Sequence, residues 1–282
     1  MIRFSVVIPL YNKANYVLKT IECVLNQTFF DFEIIVVNDG STDNSLSVVN
    51  EINDDRIRVF SKENEGVALA RNFGIGKAQH EYIAFLDADD LWLPDYLETI
   101  KGMIEQYPQA GIFSTSFTID YLGRKSIMIN HNMPEGETLL IDNYCKSVMN
   151  DEIQQLWTGV VCVKKNLFDQ MDGFRKVFQP GEDIDMWLRL SFVSPIIWKN
   201  ESKAIYYHVS ENNISSYKGM IPFWKWYTYG SSIYLKMYTN RTLINSLKKV
   251  NYKDKIYLFT KINWFYVCTH LVYNFRRKRG KR

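Results

Sequence analysis

Acidic residues stand at the ends of two apolar segments that have the composition of buried strands. Asp39 closes the segment that begins at Glu33, and Asp87-Ala88-Asp89 closes the segment that begins at Tyr82. Two carboxylates one residue apart can hold a hard cation such as Mg²⁺ or Mn²⁺, whose remaining ligands are waters and phosphate oxygens. A lone Asp-x-Asp motif is more often a solvated turn, but its place at the end of an apolar strand favours the metal.

Asp39 has a possible role of its own. Its carboxylate can accept a hydrogen bond from the N3–H of uracil, a donor that cytosine lacks, and the ring of Tyr11 can stack on that base. Asp39-Gly40-Ser41-Thr42 also has the sequence of a turn in which Ser41 or Thr42 caps the next helix. The turn accounts for the glycine and the hydroxyls. It does not account for an acid at the end of a buried strand.

The elements that must position these residues alternate regularly. The predicted strands are Phe4–Pro9, Glu33–Val37, Ile57–Phe60 and Tyr82–Leu86, and the predicted helices between them are Ala14–Asn26, Asn44–Ile52 and Gly66–Lys77. Continuous apolar strands separated by helices indicate a parallel α/β sheet. Ligands of such sheets bind outside the carboxyl ends of the strands. The polar residues that follow all four strands are therefore expected to line one shared crevice.

After Asp90 the pattern becomes mixed. It predicts helices at 94–106, 139–149 and 183–192, and strands at 111–119, 125–129, 158–164, 196–199 and 203–208. From Ile221 onward the chain is rich in aromatic and basic residues, which predicts a helical appendage. We therefore expect a catalytic domain over residues 1–217 and the appendage over 218–282.

Composition and motifs exclude several classes of protein. The net charge of +3 is too small for a general nucleic-acid binder, and six of the positive charges lie in the last seven residues. No Gly-x-Gly-x-x-Gly or Gly-x-x-x-x-Gly-Lys-Ser motif is present, which disfavours NAD-binding folds and P-loop enzymes. The four cysteines form no Cys-x-x-Cys pair, which argues against zinc and fits a reducing compartment. No window offers the ~18 uninterrupted apolar residues of a membrane span. The chain is expected to be cytoplasmic.

The ordered motifs of the chain resemble the family-2 nucleotide-sugar glycosyltransferases. The resemblance covers about residues 3–216 and rests on SVVIPLYNKANYVLKTIECVLNQT, FEIIVVNDGSTDNS, NEGVALARNFGI, YIAFLDADD, Trp157-Thr158-Gly159 and the run from Gly181 to Leu190. It implies the A-type glycosyltransferase fold, a Rossmann-like, mostly parallel sheet flanked by helices. It also implies inverting transfer of a sugar from a nucleotide diphosphate, usually UDP, with Mn²⁺ or Mg²⁺.

The resemblance also implies roles for individual residues. Carried over by position, the nucleotide-binding residues are Pro9, Tyr11, Asn12, Asp39 and Arg71, and the ribose and metal carboxylates are Asp87 and Asp89. Glu182 is a further candidate substrate-binding residue, and Asp183 is the general base. Glu182 and Asp183 also suit a helix N-terminus, where acidic side chains are stabilising. One departure concerns the Arg-x-His element of many relatives. Here it becomes His208-Val209-Ser210, so His208 contacts the diphosphate or is a structural histidine.

The class of acceptor is predicted from the family resemblance and from the C-terminal segment. The Gln-x-x-Arg-Trp element of processive synthases is missing, which favours addition of one sugar to a surface polysaccharide, lipid-linked oligosaccharide or glycolipid. The aromatic and basic segment 252–277 is typical of a helix at an anionic membrane interface, and the alternative is a helix packed on the domain or on a partner chain. This places the enzyme peripherally on the inner face of the plasma membrane and leaves its oligomeric state open.

Two other functions fit the motifs less well. A sugar-1-phosphate nucleotidyltransferase has a related sheet but needs a Gly-rich basic loop after the first strand, which PLYNKANY does not supply. A non-catalytic nucleotide-sugar-binding or scaffold protein would not require Asp39, Asp87, Asp89 and Asp183 together.

Overall fold

The computed structural model describes residues 1–149, 153, 156–176 and 181–208 of the 282-residue chain. The predicted appendage over 218–282, its boundary and its basic tail lie outside the described residues. None of the helices in the described part of the chain combines the length and the hydropathy that a bilayer crossing requires.

The described residues form ten strands and seven α-helices. The strands are β1 (Phe4–Leu10), β2 (Phe32–Asp39), β3 (Ile57–Lys62), β4 (Tyr82–Phe85), β5 (Leu91–Trp92), β6 (Ile112–Tyr121), β7 (Arg124–Ile127), β8 (Thr138–Ile141), β9 (Val161–Lys164) and β10 (Ile196–Tyr207). The helices are α1 (Val17–Leu25), α2 (Ser45–Asn50), α3 (Val67–Lys77), α4 (Tyr96–Gln106), α5 (Tyr144–Met149), α6 (Asn166–Met171) and α7 (Glu182–Leu190).

One mixed sheet runs through the described residues in the order β3-β2-β1-β4-β9-β6-β10-β5. The first four strands are parallel, as the alternation of strands and helices predicts. Beyond β4 the sheet becomes mixed, because β9 pairs antiparallel with both β4 and β6 while β6 and β10 are parallel. The strands β7 and β8 extend the sheet beside β6 and β10.

Helices cover both faces of the parallel half of the sheet. Alternate residues of β1 pack with α1 and α4 in a single hydrophobic core that includes Ile8, Ile21 and Ile100. On the opposite face α3 approaches so closely that a Cβ on Gly74 would lie 2.4 Å from Cγ1 of Val7. Burial on both faces explains why β1, β2 and β4 are continuous apolar runs.

The prediction of a single helix over 139–149 is wrong. Residues Thr138–Ile141 form β8, and only Tyr144–Met149 are helical. Residues 138–141 pair with residues 196–199 of β10. In so short an apolar segment, the tertiary pairing outweighs the local propensity for a helix. The two strands predicted at 196–199 and 203–208 form one strand, β10, whose register shifts on either side of Ser202.

Candidate active site

The carboxyl ends of the parallel strands place four loops at one edge of the sheet. In the β1–β2 register Leu10 stands opposite Asn38, and in the β2–β3 register Asp39 stands opposite Lys62. The loop that carries Asp87 and Asp89 follows β4, which pairs with the other side of β1. The structure thus gathers the predicted polar residues of the first 90 positions at a common edge.

Asp39 is a buried carboxylate that organises the loop between β3 and α3. Its side chain is only 4% exposed and forms an ion pair of 2.7 Å with Lys62. It also accepts hydrogen bonds from the backbone N–H groups of Glu65 (3.1 Å) and Gly66 (2.8 Å). Lys62 is not among the residues predicted from the sequence, although its place at the end of β3 is a usable signal. Asp39 therefore holds the loop between β3 and α3 in shape. Its carboxylate is also a hydrogen-bond acceptor at the edge of the crevice.

Asn12 joins the first loop of the crevice to the second. Its backbone is left-handed, with φ of 51°, a conformation that Asn tolerates better than most residues. Its side-chain oxygen accepts hydrogen bonds from the backbone N–H groups of Thr42 (2.8 Å) and Asp43 (3.3 Å). The neighbouring Tyr11 is 43% exposed, whereas Pro9 is buried within β1. The loop is therefore held in shape and leaves one aromatic ring accessible.

Arg71 joins the loop after β4 to the start of α7. Its guanidinium, 5% exposed, contacts Asp87 Oδ1 at 2.8 Å through Nη2 and Glu182 Oε1 at 2.9 Å through Nη1. Burial by itself lowers the pKa of Arg71, but the two carboxylates outweigh it and hold the pKa above its ordinary value. The sequence placed Arg71 near the nucleotide. The structure shows it as a buried bridge from the loop after β4 to the start of α7.

Asp183 lies in the first turn of α7, whose N-cap Gly181 has φ of 109°. Its carboxylate accepts a hydrogen bond of 2.8 Å from the Ile184 N–H and one of 3.3 Å from the Thr158 hydroxyl. Burial, followed by the charge of Glu182, raises the pKa of Asp183 from 3.8 to about 6, although Arg71 opposes the shift. Such a carboxylate is ionised at neutral pH and is still basic enough to accept a proton.

The two acidic neighbours of Asp183 on α7 have ionic partners. Glu182 pairs with Arg71, and Asp185 is fully buried in an ion pair of 2.7 Å with Arg189. Arg189 also donates hydrogen bonds to the carbonyl groups of Met171 and Gly173, which fixes α7 against the preceding turn. Among the described residues Asp183 forms no ion pair, so it is the acid of this helix best suited to proton transfer.

Two carboxylates, Asp87 and Asp89, are the candidate ligands for a divalent metal. Asp87 contacts Arg71, and Asp89 forms an ion pair of 2.8 Å with Lys13. Within the described ranges no group of three or more His, Cys, Asp or Glu side chains could enclose a metal ion. Two hard oxygen ligands at a strand end nevertheless fit Mg²⁺ or Mn²⁺, which keep waters and phosphate oxygens in their other positions. The residues present fit a metal that the substrate helps to bind.

Comparison with known proteins shows to which family the chain belongs. Residues 5–163, more than half of the chain, match the family model described as glycosyl transferase family 2. The chain belongs to this family. The expectation drawn from its motifs is confirmed.

The glycosyltransferase also resembles parts of longer proteins. It is 32% identical over 225 residues to a chondroitin synthase of Pasteurella multocida (strain Pm70), an alignment that covers 77% of this chain and 21% of that protein. It is 38% identical over 193 residues to an uncharacterized glycosyltransferase of Rickettsia bellii (strain RML369-C), covering 67% of this chain and 26% of that protein. The chain thus spans well under a third of the length of these relatives.

Solved structures establish the fold of the glycosyltransferase. The crystal structure of S. aureus TarS 1-349 in complex with UDP-GlcNAc matches with a TM-score of 0.67 at 18% identity, covering 87% of this chain and 70% of that one. The same TarS fragment in complex with UDP matches with a TM-score of 0.62 at 18% identity, covering 87% of this chain and 69% of that one. The predicted A-type glycosyltransferase fold, with its mostly parallel sheet flanked by helices, is confirmed.

The glycosyltransferase connects its acidic loop to the last described strand through Asp90. Asp90 Oδ1 accepts a hydrogen bond of 2.9 Å from the Tyr207 N–H, which brings the end of β10 to the loop after β4. The next residue, His208, packs its ring against Tyr121 and Tyr206, at centroid distances of 5.6 and 5.9 Å. The structure thus places His208 in an aromatic cluster one residue from this junction. Asp90, which joins the loop after β4 to β10, is not among the residues predicted from the sequence.

The Trp157-Thr158-Gly159 motif of the glycosyltransferase supports Asp183 from the side of β9. Thr158 donates its hydroxyl to Asp183, and the Gly159 carbonyl accepts a hydrogen bond of 2.6 Å from the Trp92 indole. A Cβ on Gly159 would lie 2.4 Å from the ring of Trp157. The motif therefore needs its glycine for packing and its hydroxyl for contact with the acid.

Proposed function

We propose that the chain is a metal-dependent, inverting glycosyltransferase that moves one sugar from a UDP-sugar to an acceptor hydroxyl. The observation that carries the proposal is the Arg71 bridge. One buried guanidinium connects Asp87, on the loop after β4, to the start of α7, where Asp183 has a pKa of about 6. A donor-binding carboxylate and a general base are thereby fixed in relation to each other by a rigid element.

The first two loops supply the groups for a nucleoside. The Asp39 carboxylate accepts the N3–H of uracil, the accessible ring of Tyr11 stacks on the base, and Pro9 and Asn12 shape the pocket. The crystal structures of TarS with UDP-GlcNAc and with UDP have the same fold as this chain, which supports a uridine donor. Stacking between a base and an aromatic ring contributes roughly 1–3 kcal/mol in other nucleotide-binding proteins.

The loop after β4 supplies the carboxylates for the diphosphate region. Asp87 would hold the ribose and contribute to the metal site, and Asp89 would be the principal ligand for Mn²⁺ or Mg²⁺. When bound, the ion offsets negative charge on the departing diphosphate, which needs no protein acid to protonate it. His208, the residue after β10, would be a further contact for the diphosphate.

Asp183 acts on the acceptor. Its carboxylate accepts the proton of an acceptor hydroxyl while the oxygen forms a bond to the anomeric carbon, and the bond from that carbon to the diphosphate oxygen breaks. Attack opposite the leaving group inverts the anomeric configuration. The Thr158 hydroxyl and the Ile184 N–H orient the carboxylate for this step, so the base is held in place before the acceptor arrives.

The acceptor is a polysaccharide, a lipid-linked oligosaccharide or a glycolipid. The support is the similarity to proteins named chondroitin synthase and hyaluronan synthase, both of Pasteurella multocida. The basic segment at 276–282 adds an electrostatic contact with an anionic membrane. The proposal therefore includes a peripheral position on the inner face of the plasma membrane, beside acceptors that are anchored there.

The deciding experiment combines a panel of UDP-sugars with the substitution Asp183→Asn. The parent chain should hydrolyse or transfer at least one UDP-sugar with Mn²⁺ and lose this activity in EDTA. Asp183→Asn keeps the shape of the side chain and removes the basic oxygen, so transfer should fall by ~10²–10⁴-fold. Binding of UDP with Mn²⁺ should stay within a few-fold of the parent chain.

The matched control is Asp169→Asn, which removes an exposed acid from α6 and should leave transfer unchanged. A variant Asp183→Asn that retains transfer within a few-fold would place the base elsewhere. A parent chain that binds UDP with Mn²⁺ but turns over no UDP-sugar would be a binding protein.

A further inference from the structure

Asp89 is paired with a basic residue that its motif does not contain. Lys13 Nζ lies 2.8 Å from Asp89 Oδ2, and each of the two side chains is only 10% exposed. Ion pairs open to solvent contribute little, whereas a pair shielded from water interacts more strongly. The carboxylate proposed as the principal metal ligand therefore already holds a cation of the protein.

The position of Lys13 is fixed by two other loops. Its backbone N–H donates a hydrogen bond of 2.8 Å to the Ser45 hydroxyl. On either side, Asn12 is joined to Thr42 and the Ala14 N–H donates to Asp43. The main chain of Lys13 is thus attached to the loop after β2, while its ammonium reaches the loop after β4. The residues that follow β1, β2 and β4 therefore meet at Lys13.

We infer that Lys13 is the counter-cation of Asp89 before the donor binds, and that it transfers to the donor's diphosphate when a divalent ion takes Asp89. This inference rests on the proposed function. It assigns Lys13 as a donor-binding residue that couples metal binding to nucleotide binding.

Charge and side-chain chemistry support the transfer. An ammonium 2.8 Å from a carboxylate oxygen repels a divalent cation that approaches the same carboxylate. The lysine stem is flexible and ends in a compact charge with three donors, so the ammonium can leave Asp89 while the backbone stays in place. A diphosphate bound through the same ion would bring a new anion within reach of the ammonium. Metal without nucleotide should therefore bind weakly, and the two together should bind tightly.

The test is Lys13→Gln, measured with Mn²⁺ alone and with UDP at saturating Mn²⁺. Loss of the competing charge should tighten the binding of Mn²⁺ alone by about tenfold, as followed by the electron paramagnetic resonance of free Mn²⁺. Loss of the phosphate contact should weaken the binding of UDP by about tenfold, as followed by calorimetry. The two changes have opposite signs, which a general loss of structure cannot produce.

Two further variants provide controls. Lys164→Gln removes another lysine from an ion pair, here with Glu81 at 2.9 Å, and should change neither affinity. Lys164 stands opposite Tyr82, at the end of β4 remote from Asp89. Lys13→Arg keeps the charge and should leave the affinity for Mn²⁺ alone close to that of the parent chain.

The outcomes separate this inference from the proposed function. If Lys13→Gln weakens the binding of Mn²⁺ alone, or changes neither affinity, then Lys13 does not compete for Asp89 and the inference is wrong. If the parent chain itself shows no Mn²⁺-dependent binding of UDP, the proposed function fails and the role of Lys13 fails with it.

Discussion

The raised pKa of Asp183 predicts an acid limb in the pH dependence of transfer. A general base must be ionised, so activity should be lost as the pH falls through the pKa of about 6. With that value about 91% of the base is ionised at pH 7 and about 9% at pH 5, so kcat/KM should fall about tenfold between them. An aspartate with the ordinary pKa of 3.8 would lose only about 6% of its ionised form at pH 5.

The substitution Glu182→Gln tests the cause of the shift. After burial, the charge of Glu182 is the largest contribution that raises the pKa of Asp183, whereas Arg71 lowers it. The neutral glutamine removes the like charge and leaves the opposing charge of Arg71, so the acid limb should move to lower pH. The value of kcat/KM for the UDP-sugar, measured between pH 4.5 and pH 8, follows the pKa of the unliganded chain.

A parent rate that is flat from pH 7 to pH 5, or an acid limb that Glu182→Gln leaves unmoved, would contradict a raised pKa at Asp183. Stability gives an independent reading. The pKa of Asp183 is higher in the folded chain than its ordinary value, so the folded state holds the extra proton between about pH 4 and pH 6 and loses stability as the pH rises through that window. Asp183→Asn removes the buried charge and should melt no lower than the parent chain at pH 8.

Three further predictions concern the donor wall, the sheet and the tail. Asp39→Asn should weaken UDP binding and lower the melting temperature, because Gly66 loses a charged acceptor; unchanged UDP affinity in calorimetry would mean that Asp39 only shapes the loop. Gly74→Ala should lower the free energy of unfolding by about 1–3 kcal/mol in urea titrations, because the new methyl group would overlap Val7, and an unchanged midpoint would show that α3 can move away. Deletion of residues 276–282 should reduce binding to anionic vesicles at low salt and spare activity on soluble acceptors, whereas full vesicle binding would exclude the tail as the contact.

The parallel half of the fold was predictable because its signals are local. The strands β1, β2 and β4 are buried on both faces, which requires continuous apolar residues and makes each strand visible by itself. The rule for strand ends then predicts where their polar neighbours meet. The edge strand β8 has no such signal. Its four residues become a strand only because β10 is beside them.

The contacts of the site depended on partners that are distant along the chain. Arg71 and Glu182 are 111 positions apart, and Lys13 and Asp89 are 76 positions apart. A motif can indicate that each of these residues belongs to a site, but no spacing indicates which carboxylate receives which cation. The types of residue in the crevice were therefore predictable from the sequence. The ion pairs between them followed only from the tertiary structure.

The neighbouring residues Arg71 and Asn72 hold two separate points of the later chain to one helix. Asn72 exchanges two hydrogen bonds of 2.7 Å with the backbone of Phe174, and Arg71 holds Glu182. Phe174 and Glu182 are therefore both anchored to α3. Substitution of Arg71 or Asn72 should accordingly disturb the start of α7, where Asp183 lies, without any change in the residues of α7 itself.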